Sequence, residues 1–103
     1  MKYSIALLTF TFALKVSAGC PMTLSNESPA VPDGTVASEA SMHTAEEAVQ
    51  TYVENIEDFL DCRSLTLSDR VHNEWVEKAL EAANTYNTEL HRYQEHQEAL
   101  AKY

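Results

Sequence analysis

The stretch Ser68–Tyr103, SDRVHNEWVEKALEAANTYNTELHRYQEHQEALAKY, decides how the chain folds. It contains neither Gly nor Pro, and Val76, Ala79, Ala83, Tyr86, Leu90, Tyr93, Gln97 and Leu100 recur alternately three and four residues apart. That spacing puts them along one seam of an α-helix. At 1.5 Å per residue the helix spans roughly 50 Å. A helix this long is stable in water only where its apolar seam is covered, because packing supplies most of its stability. What covers the seam is therefore the first structural question.

The preceding sequence offers a partner. Met42, Ala45, Val49, Tyr52, Ile56 and Phe59 repeat the same three-four spacing, with Leu60 beside them. Ser38, or Thr44 with Glu47 three residues on, suits the N-terminus of this first helix, and Glu39, Glu46 and Glu47 suit the positive end of its dipole. It is expected to end near Cys62, and Thr66 or Ser68 to cap the next helix. The expected helices are therefore about 39–62 and 68–101. A connection this short makes them antiparallel neighbours. With paired positions summing to about 131, Phe59 faces His72, Ile56 faces Trp75 and Val76, Tyr52 faces Ala79, Ala45 faces Tyr86 and Met42 faces Leu90. Tyrosines fall opposite alanines, the large-against-small alternation a packed seam needs. The fold class expected is all-α, an antiparallel two-helix hairpin (38–103) preceded by an extended proline-rich arm (19–37).

The arm contains all three prolines and, at Asp33-Gly34, a turn signal. Before it, Lys2, the apolar run Ile5–Leu14 and the small residues Ser17-Ala18-Gly19 read as a secretory signal peptide over residues 1–18. Its apolar core is too short for a membrane span, which needs about twenty residues. Cleavage after Ala18 leaves a soluble chain beginning Gly19-Cys20. The alternative reads Ser17–Cys20 as a lipobox and Cys20 as a lipidated anchor, against which stand Lys15 and the Ser at 17. The expected location is exported, periplasmic or secreted.

Losing Lys2 and Lys15 leaves five basic against sixteen acidic residues, a net charge of −11. Such a chain repels phosphate backbones and anionic headgroups, so nucleic acid is not an expected partner. About 85 residues bury only a little over ~60% of their unfolded surface, so a further constraint is useful. Cys20 and Cys62 offer one in an exported protein. Seventeen extended residues reach more than ~50 Å, enough to run the length of the first helix. Two unpaired thiols, or a lipidated Cys20 with a buried Cys62, are the alternatives.

Sequence chemistry is sparse. Histidines at 43, 72, 91 and 96 include no pair one helical turn apart, and His72-Asn73-Glu74 is not the His-Glu-x-x-His zinc arrangement, so neither metal nor cofactor is expected. There is no Gly-x-Ser-x-Gly turn, no Gly-rich phosphate loop and no Cys-x-x-Cys. Carboxylate pairs such as Glu46-Glu47 and Asp58 with Asp61 read as solvated helix faces, since a glycosidase pair needs a cleft. No catalytic residue is identified.

Pro32-Asp33-Gly34, then Glu39, Met42, Tyr52 and Phe59-Leu60-Asp61-Cys62, with Asn87 and Leu90 in the second helix, carry a resemblance. The chain resembles small exported, periplasmic proteins of Gram-negative bacteria that share an Ile/Val-Pro-Asp-Gly turn leading into a helix ending Tyr/Phe-Leu-x-Cys. The resemblance implies a bacterial envelope location and a cysteine near the mature N-terminus paired with Cys62. It carries no activity with it.

The functional expectation is a non-enzymatic structural or protein-interaction role, with self-association or partner binding through the long second helix and its overhanging Tyr93, Leu100 and Tyr103. A periplasmic ligand-binding protein, with His72 and Trp75 as candidate contacts between arm and helices, is the alternative of a different class. An outer-membrane lipoprotein anchored through Cys20 is the third.

Overall fold

The computed structural model describes Cys20, Leu24 and residues 27–102. Residues 1–18, Gly19 and Tyr103, and with them the expected signal peptide and the last interaction residue, lie outside the described residues. The architecture is two antiparallel helices, α1 (Glu39–Cys62) and α2 (Asp69–Ala101), packed against each other. Among the described residues there is no strand. The all-α hairpin read from the two stripes is the fold observed.

Helix ends follow from local hydrogen bonds. Ser38 caps α1: Ser41 N–H donates to Ser38 Oγ at 3.1 Å, and Ser38 N–H donates to Ser41 Oγ at 3.0 Å. Thr44, the other candidate start, lies inside α1 with its hydroxyl donating to the Ala40 carbonyl at 3.0 Å. At the far end Arg63 N–H still reaches the Phe59 carbonyl, and the Arg63 carbonyl then accepts from Thr66 N–H and Leu67 N–H. The chain turns through that bend, leaving Leu65 almost fully exposed at its tip. Ser68 caps α2 by accepting from Val71 N–H at 3.3 Å. Thr66 has another role, donating its hydroxyl to the Arg63 carbonyl.

The core is concentrated near the bend. Ile56, Phe59 and Leu60 are buried, and Leu24, Tyr52, Leu67, Trp75, Val76 and Ala79 pack against them. Ile56 with Trp75 and Val76, and Tyr52 with Ala79, thus share one cluster. The Phe59 ring meets the Trp75 ring edge-on, 5.8 Å between centroids, an arrangement worth about 0.5–1.5 kcal/mol beyond area. Farther from the bend, α1 buries Met42, Ala45 and Val49, whereas α2 buries only Ala82.

The arm forms a third layer. Pro29 and Val31 lie beside Tyr52, Ala82 and Thr85, in the groove where α1 and α2 meet. Ala30, Val31 and Pro32 flank Ser41, Ala45 and Ala48 of α1. Leu24 joins the core cluster. Cys20 reaches the end of α1, where it is disulfide-bonded to Cys62 with a Cα–Cα distance of 5.6 Å.

Candidate interaction surfaces

The arm is fastened at both ends. At one end is the disulfide; at the other the Asp33–Ala37 turn docks on α2 fifty-five residues later in sequence. Gly34 N–H donates to Glu89 Oε2 at 2.7 Å. The other oxygen of Glu89 accepts from Arg92 Nη1 at 2.9 Å, and Arg92 Nη2 reaches Asp33 Oδ1 at 3.4 Å. One carboxylate thus joins the turn's backbone to the guanidinium that holds the turn's side chain. Glycine is required here for space. A Cβ on Gly34 would fall onto the Glu89 carbonyl oxygen and 2.7 Å from Tyr93 N.

The turn is also built from within. Thr35 N–H and Thr35 Oγ1–H both donate to Asp33 Oδ1, at 2.9 and 2.7 Å, and Val36 N–H and Ala37 N–H donate to the Asp33 carbonyl. The Thr35 hydroxyl and amide, with a smaller contribution from Arg92, hold the Asp33 carboxyl below its usual range. Glu89 and Asp33 together push the Arg92 guanidinium up. On the seam, burial and the nearby Glu46 carboxylate raise the Tyr86 hydroxyl.

The residues expected to carry function fall in three places. Cys20 and Cys62 are joined. His72 and Trp75 are half-buried near the bend, where Trp75 is a core ring against Phe59 with the Lys78 ammonium 4.9 Å from its ring centroid. Tyr93 is half-buried beneath the docked turn, while Leu100 is 59% exposed two turns beyond. The arm therefore covers the beginning of the overhang, and residues 94–102 are exposed. His72 and Tyr93 stand about 30 Å apart along α2, at 1.5 Å per residue, and belong to no common site.

Two packed helices make two grooves, and the arm occupies one. Among the described residues the other is open and apolar, a depression of about 230 Å³ lined by Val53, Ile56, Leu60, Val76, Ala79, Leu80 and Ala83, with Glu57 at its margin. Leu80 is 57% exposed there. At 100° per residue Leu80 and Val76 lie to the side of the seam away from Ala82 and Thr85, which face the arm. Sequence reading assigned this surface no role. Its signal is the apolar residues beside each seam, Val53 next to Tyr52 and Leu80 next to Ala79, whose side becomes open only once the arm takes the other.

Two depressions lie between arm and helices, one of about 240 Å³ by Ser28, Pro29, Tyr52, Lys78 and Thr85 and one of about 400 Å³ by Ala30, Val31, Pro32, Ser41 and Ala48, and neither is lined by His72 or Trp75. Among the described residues no cluster of His, Cys, Asp and Glu is arranged to hold a metal ion. No described helix is long and apolar enough to cross a membrane. Comparison of the chain with protein families, with curated proteins and with solved structures found no match.

Proposed function

We propose that the protein is a small exported helical protein with a non-enzymatic, protein-interaction role, and that α2 supplies the binding surface. The observation that carries this reading is the open apolar groove beside α2, with Leu80 57% exposed within it. Exposed Leu80 and half-buried Val53, Val76, Ala79 and Ala83 lower their free energy when another surface covers them. Export rests on the sequence of residues 1–18. A disulfide that closes the arm onto the hairpin suits an oxidising compartment. Anchoring through a lipidated Cys20 is the competing reading, and it requires the same sulfur that bonds Cys62.

Photo-crosslinking in the producing cell's envelope tests the surface. A crosslinking residue in place of Leu80 is expected to give one discrete adduct, with a second copy or with another protein. The same residue in place of Asp58, which is exposed on the solvent side of α1, is expected to give none. Absence of an adduct from position 80 would overturn the reading.

A further inference from the structure

The geometry points to the open groove as the docking surface for a basic amphipathic helix of a partner protein. This rests on the interaction reading above and adds the chemistry of the partner. The shape of the groove comes first. Val53 and Leu60 of α1 and Val76 and Leu80 of α2 form an apolar floor between two antiparallel helices. A third helix fills such a trough by seating residues spaced i, i+3, i+4 and i+7. Contact from Val76 to Ala83 covers about 10 Å, two helical turns of the partner.

Charge then selects among helices. Glu57 stands at the α1 margin of the groove, and Glu77 adjoins Leu80 on the α2 side. The basic side chains of this part of α2 are engaged away from it: Lys78 lies over the Trp75 ring and beside the arm, and Arg70 is 3.3 Å from Glu74. A second copy docked through the same groove would bring its own Glu57 and Glu77 to the same acidic margins, because a two-fold interface uses one patch on both chains. Like charges so placed oppose association. A helix with an apolar stripe flanked by Lys or Arg meets both the floor and the rim.

Fluorescence anisotropy with a designed probe tests this on the disulfide-bonded mature chain. The probe is a labelled Leu/Lys peptide of about 18 residues, long enough to form a helix, with its leucines at three-four spacing. Its comparators are a scrambled peptide of the same composition and an ordered Leu/Glu peptide. The ordered Leu/Lys peptide is expected to bind about tenfold or more tightly than the scrambled one, a difference of ~1.4 kcal/mol. Leu80→Asn is expected to remove that advantage, and Leu100→Asn to leave it. Glu57→Gln with Glu77→Gln should weaken binding and flatten its dependence on salt. Circular dichroism of each variant checks that the hairpin is intact.

Equal binding of ordered and scrambled peptides would show attraction to net charge alone and overturn the proposal. An unchanged affinity in Leu80→Asn would overturn it as well. Tighter binding of the Leu/Glu peptide, lost in Leu80→Asn, would overturn the basic partner while leaving the groove as an interaction surface. No binding by any peptide, together with no crosslink from position 80, would overturn both.

Discussion

A side chain at Gly34 has no space, because the turn that carries it rests on the backbone of α2. Gly34→Ala would drive its methyl into the Glu89 carbonyl and the Tyr93 amide, and backbone cannot give way as a flexible side chain can. The variant is expected to lose about 1–3 kcal/mol, the usual cost of overpacking, read as a lower urea midpoint at unchanged slope. Neighbouring Asp33 makes the same contact sensitive to acid. Its folded pKa is depressed, so its contribution is fully present above its unfolded value near ~3.9 and is lost as pH falls through the lower folded value. Amide exchange at Gly34 and Thr35, corrected for the intrinsic pH dependence of exchange, should therefore lose protection below about pH 4. In Asp33→Asn the same loss should be present at neutral pH. The Asp33-Gly34 turn itself was legible from its residue types, but its mooring to Glu89 and Arg92 was not. Periodicity describes neighbours within an element and is silent about contacts fifty-five residues apart.

At the scale of the element, the seam was legible because a single face of each helix is apolar. Met42, Ala45, Val49, Ile56 and Phe59, all read from three-four spacing, are all buried. The start of α1 was less so, since Thr44 with Glu47 fits the usual capping box better than Ser38 with Ser41. The second serine settles it by bonding back to the Ser38 N–H, a part more often played by Glu or Gln. Ser38→Ala should accordingly cost about 1 kcal/mol in urea unfolding. Thr44→Ala should cost little, because its hydroxyl bonds only within the helix. The open groove was not legible at this scale. Val53 and Leu80 each sit beside a seam, and nothing in either helix says which side of the pair the arm will take.

For the whole molecule, the decisive bond is Cys20–Cys62. It closes a loop of about 43 residues, worth up to ~4 kcal/mol in the chain-entropy model, a large share of a small domain's stability. Replacing both cysteines by alanine is expected to lower unfolding free energy by about 2–4 kcal/mol, measured with urea on the variant and on the oxidised chain. It should also raise the exchange rates of the arm's amides more than those of α2. The sequence made the bridge reachable, since seventeen residues span the first helix. It left pairing, free thiols and lipidation all open, because the reach of a chain does not fix its path.

That bridge gives the molecule two unlike poles. Cys20 is bonded where α1 ends and the chain bends, and the last turns of α2 lie at the other extreme, about 50 Å away by helical rise. The hairpin with its arm is thus a rod with a handle at one tip. A reporter or a solid support joined through the backbone of Cys20 would grip the bend and hold the tip of α2 outward. The same attachment made at Lys102 would reverse the rod and present Leu65 to the solvent instead.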